Sequence, residues 1–86
     1  MYKLVFLDTA VKEFKKLDFV IQKIVKEKLE VLCDNPEILK NNIKPLKGKF
    51  QGKFRLRVNQ YRIIFQIKDD ELIITIIRIR HRKEVY

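Results

Sequence analysis

The sequence predicts an α+β domain: an N-terminal strand and a helical hairpin packed on one face of a small, largely antiparallel sheet that ends in a three-strand meander. Three observations predict it. The first half carries apolar residues at helical spacing between two capping residues. The second half alternates apolar and charged residues with period two. The turns between those alternating runs are short, which joins neighbouring strands antiparallel.

The elements follow in chain order. Tyr2, Leu4 and Phe6 alternate with Lys3 and Val5, so residues 2–7 read as a strand. Asp8 or Thr9 is expected to cap a short helix whose apolar stripe is Val11, Phe14 and Leu17. Asp18 is expected to cap a second helix, with Ile21, Ile24, Val25, Leu29 and Leu32 on one side and Lys23, Lys26, Glu27 and Glu30 on the other. Asn35-Pro36 stops it near Cys33. Residues 37–53 are mixed, with Pro45, Gly48 and Gly52 as turn signals. Phe54, Leu56 and Val58 then alternate with Arg55 and Arg57. Asn59-Gln60 is a turn. Tyr61, Ile63, Phe65 and Ile67 alternate with Arg62, Ile64 and Gln66, and Asp69-Asp70 is a second turn. A last strand runs from Leu72 to about Ile79, apolar on both faces at its start as a central strand is.

Composition narrows the function. The chain has 86 residues, 47% hydrophobic and 36% charged. That is the length of a single domain spanning residues 1–86, too apolar for a disordered chain. No run approaches the ~18–20 apolar residues of a membrane span, and no secretory leader is visible, so a cytoplasmic location is expected. One cysteine, Cys33, excludes an internal disulfide framework and a multi-cysteine zinc site. The consecutive acids Asp69, Asp70 and Glu71 sit in a turn and read as solvated rather than as metal ligands.

The net charge is +9, from 20 Lys and Arg against 11 Asp and Glu. All of the arginines lie beyond residue 54. Arginine presents a planar fork matched to phosphate, so the second half suggests a polyanion surface, nucleic acid first. Strand periodicity puts Arg55 and Arg57 on one face, with Arg62 beside them on the side away from the helices. Arg78, Arg80 and Arg82 arrive from the last strand and its continuation. Tyr61 and Phe65 read as core, and Phe50 and Phe54 as core or interface rather than base-stacking residues.

Leu46-Lys47-Gly48, Phe54-Arg55-Leu56-Arg57-Val58, Tyr61-Arg62-Ile63-Ile64-Phe65 and the ending Arg78-Ile79-Arg80-His81-Arg82-Lys83-Glu84-Val85-Tyr86 resemble the RelE/ParE toxin superfamily of type II toxin–antitoxin systems over essentially the whole chain. The RelE side of that resemblance implies a ribosome-dependent, metal-independent endoribonuclease. It cleaves messenger RNA in the A site when a ribose 2′-hydroxyl attacks the adjacent phosphate. It uses no cofactor, and a cognate antitoxin neutralises it. Such chemistry needs a proton acceptor, cations for the charged transition state and a proton donor.

Carried over by position, Arg62 stabilises the transition state and Arg55 contacts substrate phosphate. Arg82 is a second clamp or the proton donor, and Tyr86 stacks on or orients a base. Arg57 stands where the family has a lysine in the base role. An arginine stays protonated and is a poor base, so Arg57 stabilises charge or another group takes the proton. His81 is the candidate for that group, being the one side chain of a type that titrates near neutrality. Lys47, Lys53, Arg78, Arg80 and Lys83 complete the expected RNA contacts. A ParE-like inhibitor of DNA gyrase and a non-catalytic basic RNA-binding module are the competing readings.

Overall fold

The computed structural model describes residues 1–84, so Tyr86, expected to meet a base, lies outside the described residues. The elements are β1 (Lys3–Phe6), α1 (Asp8–Lys15), α2 (Phe19–Asp34), a 3-10 helix (Pro36–Asn42), β2 (Ile43–Pro45), a 3-10 turn (Gly48–Phe50), β3 (Phe54–Val58), β4 (Tyr61–Lys68) and β5 (Ile73–His81). The α+β class and the closing meander are those the sequence predicts. β2 is an addition: three residues inside the mixed stretch pair antiparallel with β3, Ile43 opposite Leu56 and Pro45 opposite Phe54. A strand this short carries no periodicity for a sequence reading to detect.

The strands are ordered β1-β5-β4-β3-β2 in one five-stranded sheet. β1 runs parallel to β5, and the other pairs are antiparallel. The apolar faces of the helices (Ala10, Val25, Leu29, Leu32) and the inward residues of the sheet (Leu56, Val58, Ile63, Phe65, Ile74, Ile76, Ile79) form one core. Phe54 and Phe65 stand opposite each other across β3 and β4, with stacked rings 5.7 Å apart. Phe6 and Phe14 tie β1 to α1 edge-to-face at 6.0 Å.

The helix starts differ from expectation. The cap position of α1 is Leu7, and Asp8 is the first helical residue, where its charge meets the helix dipole. Asp18 does occupy the cap position of α2, but its side chain caps nothing. The hairpin is clipped instead by Gln22. Its Nε2 donates to the carbonyls of Phe14 (3.0 Å) and Leu17 (3.1 Å), with a longer approach to Lys15 (3.4 Å). Phe14 O also accepts the Leu17 N–H (3.1 Å), so Gln22 adds a second donor there and supplies one to the Leu17 carbonyl just beyond α1. The β3–β4 turn puts Asn59 at φ 53°, a left-handed conformation that asparagine tolerates.

A register shift in the β4–β5 ladder does the most to shape the surface. Ile64 is opposite Arg78 but Phe65 is opposite Ile76, so Ile77 is an extra residue in β5. On either side of it the face of each residue number reverses. Ile74 and Ile76 join the core, and so does Ile79, while Arg78 and Arg80 take the opposite face.

Candidate functional site

Cross-strand register assembles the arginines into a row. Arg57 of β3 is directly opposite Arg62 of β4, and Arg62 is directly opposite Arg80 of β5. Their neighbours in sequence, Leu56, Ile63 and Ile79, belong to the core on the helix side, so the row lies on the face the helices leave bare. The adjacent row reads Arg55, Ile64, Arg78. Ile64 is fully buried yet stands outside the helix-side core. Its register neighbours Arg55 and Arg78 have the aliphatic stems that shield such a residue while their charged heads reach outward.

Like charges directly opposite one another in a sheet oppose folding. At ~4 Å in water each such pair costs about 1 kcal/mol, and more where solvent is excluded. The row is therefore a feature folding tolerates rather than one it needs, and an anion laid along it reverses the sign. Arg57 is exposed, and among the described residues it has no ion pair. The Nε groups of Arg55 and Arg80 are buried without a hydrogen-bond partner among the described residues. Arg62 turns Nη1 onto the carbonyls of Tyr61 (3.1 Å) and Asn59 (3.4 Å), which holds its fork near the β3–β4 turn. Arg80 meets Glu84 at 3.5 Å. The other oxygen of Glu84 accepts the His81 N–H at 2.9 Å. That backbone bond, with Arg80, holds the Glu84 carboxyl below its ordinary range, so it is ionised at neutral pH.

Other expected residues are placed elsewhere. His81 is opposite Tyr61, on the helix side of the sheet, with the two rings edge-to-face at 5.3 Å. Its Nδ1 accepts the Lys83 N–H (3.1 Å), which leaves Nε2 to carry the proton toward Gln60 Oε1 (3.2 Å). Both ring nitrogens are thus engaged, on the face opposite the arginine row, and the expected base is not brought to that row. The physical reason is strand alternation, which separates residues 80 and 81 however close they are in sequence. Arg78 is also not free: its Nη2 meets Glu13 Oε2 at 2.8 Å, and its Nε lies 3.2–3.3 Å from both carboxylate oxygens. Glu13 lies 65 residues away, and no local pattern announces such a pair. Arg82 and Lys83 are exposed in the turn after β5, where the Arg82 N–H donates to Gln60 O. Lys47 is exposed beside the second 3-10 turn, and Lys53 is half-buried just ahead of β3.

On the helix side, Leu4, Phe6, Val11, Phe14 and Leu29 line an open apolar groove of about 490 Å³, with Lys15 and Lys26 among its lining residues.

A sheet backed by helices on one face and carrying a row of arginines on the other defines a small α+β domain with one basic face. Comparison with known proteins gives the particular kind. The family model described as ParE toxin of type II toxin-antitoxin system, parDE, matches residues 4–86. A RelE-like toxin protein of Escherichia coli is 36% identical over 87 residues, which cover 99% of this chain and 90% of that protein. The mRNA interferase toxin RelE of Escherichia coli strain K12 is 31% identical over the same coverage. A chain in the crystal structure of the toxin-antitoxin complex RelBE2 from Mycobacterium tuberculosis superposes with a TM-score of 0.81 at 30% identity, covering 94% of this chain and 98% of that one. The chain belongs to the RelE/ParE toxin superfamily.

Proposed function

We infer that this toxin is a messenger-RNA interferase that acts in the ribosomal A site without a metal cofactor, with an antitoxin as its physiological partner and the cytoplasm as its place of action. The observation that carries this reading is the row Arg57–Arg62–Arg80 on the uncovered face. A scissile phosphate seated on it has cations for the charge that builds as a 2′-hydroxyl attacks. Arg62 is the centre of that charge stabilisation, Arg57 and Arg80 flank it, and Arg55 in the next row holds an adjoining phosphate. Arg80 takes the clamp place, where Arg82 was the expected clamp or proton donor, because Arg80 and not Arg82 is in register with Arg62; as the bond from phosphorus to the 5′-oxygen breaks, water supplies the leaving oxygen's proton. None of the arginines accepts the 2′-hydroxyl proton, since guanidinium does not deprotonate. Among the described residues, Glu84, set against Arg80, is a carboxylate within reach of the row that can accept it.

Two findings support the antitoxin. The similar chain of known structure comes from a toxin-antitoxin complex, and the apolar groove against α1 and α2 suits an amphipathic segment.

The test is primer extension on messages translated in the presence of the toxin. Cleavage at the A-site codon is expected. Arg62→Ala and Arg80→Ala should each lower its rate by roughly 100- to 1,000-fold, the range for losing one preorganised donor. Undiminished cleavage by both variants would refute the assignment. The family model that matches the chain is named for ParE, which favours a second reading as a gyrase inhibitor. Blocked supercoiling by purified gyrase, with intact messages, would establish that one instead.

A further inference from the structure

We propose that Glu13 is a specificity-setting residue that occupies Arg78 in place of a phosphate and so keeps the β5 edge out of the RNA footprint. The proposal rests on the reading of the arginine face as an RNA surface.

Register places Arg78 beside Ile64, in the same row as Arg55 and on the same face as Arg57, Arg62 and Arg80. By position it is a further phosphate contact. Its guanidinium is nevertheless taken, because the α1 carboxylate meets both Nε and Nη2 in a two-pronged contact of the kind arginine makes with phosphate. The same carboxylate does a second thing. β1 pairs with β5 only as far as Ile76, so the edge of β5 beyond that point has no strand beside it. Glu13 Oε1 accepts the Ile79 N–H there at 2.7 Å. Both partners are largely shielded, with side chains 33% and 20% exposed for Arg78 and Glu13. Glu13 also draws the Arg78 guanidinium further from deprotonation, as a close carboxylate does. The RNA contacts then fall to the row Arg57–Arg62–Arg80 and to Arg55 beside it. Phosphates run along the row toward β3 and not over the outer edge of β5.

Glu13→Gln separates the two jobs. The amide oxygen still accepts the Ile79 N–H, but the negative charge on Arg78 is gone. The probe is a single-stranded RNA oligonucleotide of mixed sequence, titrated between about 50 and about 200 mM salt with the intact toxin and its variants. Glu13→Gln is expected to bind the oligonucleotide roughly two- to fivefold more tightly. Its plot of log affinity against log salt should steepen by about 0.7, one added phosphate contact. Arg78→Gln in the otherwise native chain should leave the salt slope unchanged, since no phosphate contact is lost, while the uncovered Glu13 carboxylate lowers affinity by no more than roughly two- to fivefold. The double variant should return to native behaviour.

Arg78→Gln alone weakening affinity and flattening the slope as Arg57→Ala does would overturn the proposal. So would a folded Glu13→Gln protein with native affinity and slope. If Glu13→Gln does not fold, the Arg78→Gln arm decides alone. Failure of the underlying reading looks different: Arg57→Ala and Arg62→Ala would then leave oligonucleotide binding unchanged.

Discussion

Arg62 has an arginine directly opposite it on each side, and that residue's surroundings show how the site is poised. Three guanidinium groups in one row repel one another, and Glu84 moderates that repulsion at Arg80. The behaviour of Glu84 with pH follows from its lowered pKa. A carboxyl held below its ordinary value in the folded state contributes stability that is present above that ordinary value, 4.5, and is lost as pH falls through the lower folded one. Urea midpoints of the native protein and Glu84→Gln should therefore differ at pH 7 and merge in acid below pH 4.5. Parallel curves down to about pH 3 would show that the carboxylate carries no such linkage. The concentration of arginines on the strands was legible in the sequence. Which ones share a row was not, because that depends on register between strands. His81 shows the same limit in reverse: its chemistry suits a base, but its face of the strand does not.

At the scale of elements, the helical hairpin depends on a polar clip that spacing arguments do not reveal. Gln22 lies among the helix-forming residues of α2, and its amide reaches back to the carbonyls that end α1. Gln22→Ala should cost about 1–2 kcal/mol, since it takes the side-chain donor from the part-buried Leu17 carbonyl, while Phe14 O keeps the Leu17 N–H. The reading is a shift in the urea midpoint at unchanged slope. The bulge in β5 allows a sharper test. Deleting Ile77 restores strict alternation, which drives Arg78 and Arg80 toward the face occupied by Ile74 and Ile76, or those isoleucines toward solvent. Either outcome buries unpaired charge or exposes the core, at a cost of ~3–5 kcal/mol or more. The deletion protein should lack a cooperative thermal transition, and a native-like melt would refute the role given to the bulge. Helices, turns and the three long strands were legible because each repeats a pattern over several residues. β2 and the bulge were not, because each is set by pairing with a neighbour rather than by a repeat.

For the whole molecule, the net charge of +9 combines lysines spread along the chain with arginines, five of the six on the sheet face the helices leave bare. Three to four phosphate contacts from Arg55, Arg57, Arg62 and Arg80 predict a slope of log affinity against log salt of about −2 to −3 on single-stranded RNA. A slope near zero would show that the arginine face does not meet phosphate. A much steeper one would mean that scattered lysines bind as well and that no defined face exists. The sequence by itself determined that this chain builds helices over a meander and that its arginines concentrate in the meander, because both are properties of local spacing and composition. In β5 it also posed a conflict. Ile74, Ile76, Arg78 and Arg80 all carry even numbers, and unbroken alternation would set charge and core on one face. Only the tertiary structure resolved it. One unpaired residue at Ile77 reverses the strand's faces midway, the isoleucines turn under the helices and the arginines turn outward to meet Arg62. The physical reason is that a strand's facing is decided by the ladder it joins, and a ladder is a relation between distant segments that no stretch of sequence contains alone.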